Sequence, residues 1–498
     1  MQITPTSLTV TQLLGSANEQ YVIPAYQRRY SWYEKQLWEL LDDISLIEGS
    51  DTHLLGSIVC LTGHHKAGIN ALELVDGQQR LTTISILLHC ILERLKSEGE
   101  ISEVQNIERL LQAKALGASP VRKILLDSLD ANEFDEQVSG RQLEHPLNPN
   151  LAFAFETFRN WVDGQKLPAL ATFLYRLQNH AIVVRLDVSD AKDAFKLFET
   201  INNRGLRLSP TDIIKNFVLG NAARFGPKPL ELARQRWAEL IRNLDGTSFE
   251  AFFRHFMTAQ LKRRITVSYV VPNFKTLFMK SVKEAAKLPD RHWYTDEEDI
   301  QSAESPETGE QAPEGISEPD ELKGVKQVSF AQFLDRLVKN AKIYSEIVLA
   351  NTGIPKLDRR LVHLRMIKSV QTYGFLMSLR ASGCSDRHFE TVLELTEAFL
   401  LRRHICRERA NENETVFARL CGIDPKNPVS AVREAYREYC PSDDKFKEEF
   451  VTGGFPAGLI ERARYCLEQI ELHEHGKYLE LLIAGPMQCT SSTSFLRK

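Results

Sequence analysis

The sequence predicts an α+β fold in which a mixed α/β domain is followed by a mostly α-helical one. Three observations carry this. Short β-branched and aromatic runs bounded by turn residues fill the first 90 positions. From about Val328 to Leu482, apolar residues recur at three- and four-residue spacing. Between the two patterns lies an acidic, proline-bearing stretch with almost nothing apolar.

In order, "YVIPAY" (21–26) reads as a strand, with Pro24 marking an edge strand or a strand end. "HLLGSIVCL" (53–61) and "ALELV" (71–75) read as strands separated by the turn "TGHHKAGIN", with His64 and His65 on the surface. A helix is predicted from about Gln78 to Leu95, mainly helical structure over 98–180, a strand at "AIVVRLDV" (181–188) and a helix over 191–201. The domains expected are 1–225, a helical connection 226–290, an acidic disordered loop 291–325, a helical domain 326–485 and a tail 486–498. From Asp296 to Glu321 there are eleven acids, three prolines and no Lys or Arg, too little apolar surface to offset the entropy of ordering.

With 62 basic and 66 acidic side chains, the net charge is −4, so a nucleic-acid surface must be a local patch. Eight scattered cysteines without CxxC spacing read as reduced, mostly buried thiols. No signal-peptide pattern and no membrane-length apolar run is seen, and a cytoplasmic location is expected.

Three clusters carry chemistry. In "LVDGQQRLTTISILLHC" (74–90) a strand ends in a turn that opens a helix, which presents unpaired N–H groups at a positive dipole end. Gly77 permits close approach or positive φ. Asp76 can cap the helix or hold Mg²⁺, Gln78 and Gln79 offer amides, and Arg80 offers a fork for phosphate oxygens. Two readings stay open on physics alone: a phosphate cradle, or an Asp-capped helix with solvent-facing amides. In "FETINNRGLRLSPTDIIKNFVL" (198–219) a helix stops near Asn203, Arg204 and Gly205. It restarts with Ser209 as N-cap, Pro210 at the first position and Asp212 completing a capping box, and Asp212, Lys215 and Asn216 project on related faces. In "IPAYQRRYSW" (23–32), Gln27 and Arg28 sit among aromatics.

Together with "LLGSIV" (54–59), these clusters resemble, in order, the N-terminal domain of GmrSD-type modification-dependent restriction endonucleases, whose fold is similar to ParB and sulfiredoxin. The resemblance spans roughly residues 8–220. It implies an antiphage, NTP-dependent bacterial system acting on modified DNA, with ATP, GTP or UTP bound and hydrolysed, and Mg²⁺ as cofactor. Carried onto this chain, Asp76, Gln79 and Arg80 are expected catalytic residues. Gly77, Gln78, Gln27, Arg28, Asn203, Arg204, Asp212, Lys215 and Asn216 are expected to bind nucleotide. The alternative is a non-enzymatic DNA-binding sensor that holds NTP and recruits a separate nuclease; a third reading keeps nuclease activity in the ParB-like domain. No HNH-type constellation follows His473 and His475, so DNA cleavage by this chain alone is not expected. The nuclease is lost, supplied by a partner subunit, or carried on a missing segment. Modified phage DNA and a homo-oligomer complete the expected partners. Basic residues at "LKRR" (261–264) and at Arg359, Arg360, Arg365 and Lys368 are the candidate DNA contacts, with salt bridges to neighbouring acids as the competing role. His404 and Cys406, at the end of an apolar helix, are expected to be structural.

Overall fold

A computed structural model describes residues 3–66, 68–141, 145–202, 209–288, 326–453 and 460–475. The acidic segment and the tail lie outside these residues, as do Asn203, Arg204 and Gly205. Two compact units divide after Arg242.

The first unit is built on a six-stranded mixed sheet, ordered β1-β8-β3-β4-β2-β7. Its strands are β1 (Ile3–Thr9), β2 (Glu19–Ile23), β3 (His53–Lys66), β4 (Ile69–Asp76), β7 (Ile124–Leu126) and β8 (Ala181–Val188); β5 (Gln112–Ala113) and β6 (Val121–Arg122) pair separately. β3 and β4 form an antiparallel hairpin, whereas β2 runs parallel to both β4 and β7. The segment expected as the turn 62–70 is therefore mostly strand, with His64 and His65 in β3 paired to Ala71 and Asn70. Pro24 marks the end of β2, which is an interior strand with neighbours on both sides.

Helices α1 (Val10–Leu14), α2 (Glu34–Ser45), α3 (Gln78–Glu98), α4 (Ile101–Leu111), α5 (Ala131–Val138), α6 (Pro149–Asp163) and α7 (Leu167–Asn179) precede β8; α8 (Ala191–Asn202), α9 (Pro210–Phe225) and α10 (Pro227–Leu244) follow it. α3 is the central helix. Leu81, Ile84, Leu87, Leu88 and Ile91 share one apolar core with Tyr21, Cys60 and Leu74 of the sheet and Phe155 and Phe158 of α6. A helix buried on nearly every side is fixed by packing, and its first turn is held rigidly against the sheet. α10, expected as a connection, packs with this unit through an ion pair from Arg234 to Glu73 of β4 at 2.7 Å.

The described part of the second unit is helical, as its periodicity predicts. Phe252, Phe253, Phe274, Phe278 and Phe333 interlock edge to face at its centre. In the helix Asp386–Ile405, Arg403 is 2% exposed yet fully engaged. It donates to Asn413 Oδ1, the Tyr439 and Arg409 carbonyls and Glu412 Oε2. Arg403→Gln is expected to cost this unit about 3–5 kcal/mol, because four partners lose a buried cation together. Urea unfolding followed by circular dichroism would read the loss as a lower midpoint. Of the seven described cysteines six are buried and all are free thiols. Burial pushes the His404 imidazole down to about 4, which fits a structural position at the helix end. Among the described residues no helix is long and apolar enough to cross a membrane.

Candidate functional site

The site lies where β4 ends and α3 begins. Asp76 is the last residue of the strand and Gly77 the N-cap, in the left-handed conformation at φ 88°. A Cβ on Gly77 would fall 2.4 Å from Ile58 Cγ2, so only glycine fits both the angle and the space. No side chain caps the helix. The Asp-capped start is thereby corrected: the Asp76 carboxylate accepts from the Gly77 N–H, and the N–H groups of the first helical turn remain for another partner. Burial pushes the Asp76 carboxyl above its usual range, against the opposing pull of Gly77, Arg80 and Lys215.

Arg80 reaches back to β3. Gly56 sits at a register shift between β3 and β8 with φ 113°. A Cβ there would meet the Arg80 guanidinium at 2.6 Å. The bare backbone lets the guanidinium lie flat, and Nη1 donates to the Ser57 carbonyl at 2.7 Å. Gly56 and Ser57 were not among the expected site residues. Their signal in the sequence is the isolated glycine of "LLGSIV", since glycine inside a strand marks a bulge or a close approach.

The "IPAYQRRYSW" segment is clamped against this turn by two amides. Gln27 is 2% exposed, donates to the Leu74 and Val75 carbonyls at 2.9 and 3.0 Å, and accepts from the Lys215 ammonium. Gln79 donates to the Arg29 carbonyl at 3.2 Å and accepts from the Ser31 N–H at 2.8 Å. Arg29 itself pairs with Asp130. Both glutamines thus fix the loop that carries Arg28. Tyr26 donates to Glu73, and Arg234 lies over the Tyr26 ring.

α9 closes the other side. Ser209 caps it, accepting from the Asp212 N–H at 3.2 Å, and Pro210 opens it, as expected. The Asp212 carboxylate takes the Ser209 hydroxyl at 2.8 Å and stands 3.5 Å from Lys215 Nζ and 3.6 Å from Arg28 Nε. Although burial acts to raise it, Lys215 and Arg28 hold the Asp212 carboxyl below its usual range. Burial pushes the Lys215 ammonium down against the pull of Asp212 and Asp76. Asn216 donates to the Asp212 carbonyl at 2.7 Å.

The fold therefore gathers Asp76 to Arg80, Gln27, Arg28, Asp212, Lys215 and Asn216 from three separate stretches of sequence. Residues 10–219 match the family model described as the GmrSD restriction endonuclease, N-terminal domain. That span is a GmrSD N-terminal domain. No curated protein matches the chain. The GmrSD match contains the whole cluster and stops inside α9.

The basic residues beyond the GmrSD domain do not form one row. Arg360 pairs with Glu397 and Glu394 at 3.0 and 3.3 Å and helps bury Glu397 beside His363. Arg359 and Arg365 are exposed on the helix Pro355–Met366, and Lys368 lies past its end at φ 64°. In "LKRR", Arg264 pairs with Glu414. Among the described residues no group of three or more His, Cys, Asp or Glu is placed to hold a metal ion.

Proposed function

We propose that the first unit binds nucleoside triphosphate and hydrolyses it, as part of a modification-dependent restriction response to foreign phage DNA. One observation carries the reading. The 21-residue helix α3 starts without a side-chain cap, beside the buried Lys215, the part-buried Arg80 and the half-exposed Arg28. Unpaired helix N–H groups next to fixed guanidinium and ammonium groups suit a polyphosphate. GmrSD membership of the domain supports DNA as the target of the system.

Each residue then has a part. The first turn of α3 cradles phosphate oxygens. Arg80, fixed on Ser57, stabilises charge developing on the transferred phosphoryl group. Lys215, fixed by Gln27 and Asp212, neutralises the bound phosphates. Asp76 suits Mg²⁺, because this ion is held through one or two carboxylates with phosphate oxygens and water. When bound, Mg²⁺ supplies charge neutralisation on the phosphates.

A second reading rests on Gln79. Both ends of its amide are taken up by the Arg29–Ser31 backbone, which leaves Asp76 to orient the attacking water. That economy favours a sensor that holds nucleotide and recruits a separate nuclease subunit. Phosphate release with ATP, GTP and UTP, with Mg²⁺ and with or without modified DNA, separates the two. The hydrolase reading expects turnover that falls at least 100-fold in Asp76→Ala and Arg80→Ala while the fold is kept. Tight binding without turnover supports the sensor, and absence of both overturns the nucleotide reading.

A further inference from the structure

Residues 28–33 have no regular secondary structure, so the backbone groups of this segment must find partners outside a helix or a strand ladder. Four consecutive ones are met by side chains. The Arg29 carbonyl accepts from Gln79 at 3.2 Å, and the Ser31 N–H donates back to Gln79 at 2.8 Å. Between them, the Tyr30 N–H donates to Asp130 Oδ2 at 2.6 Å, and the Tyr30 carbonyl accepts from Asn148 Nδ2 at 3.0 Å. Asp130 Oδ1 also takes the Arg29 guanidinium at 2.7 Å.

Asp130 occupies the N-cap position of α5, where an aspartate ordinarily accepts from the first N–H groups of its own helix. It makes no such bond, and both of its carboxylate oxygens go to the Arg29–Tyr30 segment instead. The side chain is 1% exposed, so water does not compete for it. Asn148 serves two ends at once. Its Oδ1 caps α6, accepting from the Asn150 and Leu151 N–H groups, while its Nδ2 holds the Tyr30 carbonyl. Glu133 of α5 accepts from the Asn148 N–H at 2.9 Å. Two helix starts therefore converge on one irregular turn, and α5 forgoes its own cap in the process.

Arg28 immediately precedes this turn. On its other side Gln27 is buried and engaged by the Leu74 and Val75 carbonyls and Lys215. The backbone is thus held on both sides of Arg28, whose side chain is 46% exposed, with Nε 3.6 Å from Asp212. A long cation on a fixed backbone has a defined reach. Misplacing such a group by about 1 Å can cost on the order of 100-fold.

Resting on the nucleotide reading above, we propose that Asp130, backed by Asn148, is a positioning residue of the site. It fixes the backbone from which Arg28 reaches the phosphates of a bound nucleotide, and it does not touch the ligand itself.

The test is titration calorimetry of the full chain with MgATP, MgGTP and MgUTP, on wild type, Asp130→Ser, Arg28→Ala and the double variant. Serine is a good N-cap, so α5 keeps its start while the turn loses its anchor. Amide exchange of the free Asp130→Ser protein should rise in peptides covering Arg28 to Tyr33 and stay unchanged over Gly77 to Leu81. With the nucleotide that binds, each single variant should weaken affinity about tenfold or more. The double variant should stay within about twofold of Arg28→Ala, because a residue that acts through Arg28 then has nothing left to act on. If Asp130→Ser does not fold, Asp130→Asn runs through the same cycle, since it keeps an acceptor for the Tyr30 N–H and loses the charge facing Arg29. Unchanged affinity in the Asp130 variant, or a weakening as large without Arg28 as with it, overturns the positioning role and leaves nucleotide binding standing. A wild type that binds none of the three nucleotides overturns the nucleotide reading and this proposal with it.

Discussion

Replacing Gly77 with alanine is expected to destabilise the first unit by about 2–5 kcal/mol and to abolish nucleotide binding. Two costs add. A left-handed backbone costs an L-residue about 1–2 kcal/mol, and at Gly77 φ is 88°. The new methyl would also stand 2.4 Å from Ile58 Cγ2 and 3.1 Å from Ile58 Cα, on a strand that cannot retreat without disturbing its pairing with β8. Overpacking of this kind costs about 1–3 kcal/mol. Gly99, the C-cap of the same helix, is the control. Its φ is 79°, but nothing lies within 4 Å of a Cβ there. Gly99→Ala should therefore show the backbone cost alone, and the difference between the two variants in urea unfolding gives the steric part. Equal losses would mean that the β3–α3 contact is loose and that the turn is not held rigidly.

The second large effect is expected at Asp212. Asp212→Ala strands Lys215, which is 4% exposed, and should cost about 3–5 kcal/mol as an uncompensated buried charge. Asp212→Ala combined with Lys215→Met should recover most of that loss, because a buried pair is replaceable by apolar side chains far more cheaply than it is broken. The pH dependence follows from the directions of the two shifts. The Asp212 carboxyl is held below 3.8, so its contribution is present above that value and is lost as pH falls through the lower folded one. Wild type should therefore lose stability relative to Asp212→Ala at acid pH. The Lys215 ammonium is held below 10.5. Between its folded value and 10.5 the folded state binds fewer protons, so stability rises with pH there. The penalty of Asp212→Ala should shrink toward alkaline pH as Lys215 sheds its proton. A penalty independent of pH would mean that Lys215 is not charged in the native site.

Much of this architecture was legible in the sequence because its signals are local. β8 matches the alternating run "AIVVRLDV", and α3 begins at the predicted Gln78. β1 escaped notice because Pro5 argues against a strand, yet β1 is an edge strand of the sheet, where proline is tolerated. The hairpin residues His64 and His65 read as a turn because Gly63 and Gly68 flank them, but the pairing of β3 with β4 overrides that local preference. For the site, the clusters around Gln27, Asp76 and Asp212 could be read from motifs. The division of labour among them could not. Whether an amide is a clamp or is left open depends on which carbonyls and N–H groups the fold brings to it. Gln79 meets the backbone of a loop some fifty residues earlier, while its neighbour Gln78 meets none. The seat of Arg80 on Gly56 and Ser57 likewise exists only once a bulge sets β3 against α3.

The central claim is that phosphate sits on the open start of α3. Amide hydrogen exchange of the full chain with and without MgATP, MgGTP or MgUTP tests it most directly. Peptides covering Gly77 to Leu81 should gain protection with the nucleotide that binds, together with those covering Arg28 and Ser209 to Asn216, while the rest of the first unit changes little. Saturating nucleotide that leaves the Gly77–Leu81 amides exchanging as before would contradict the account.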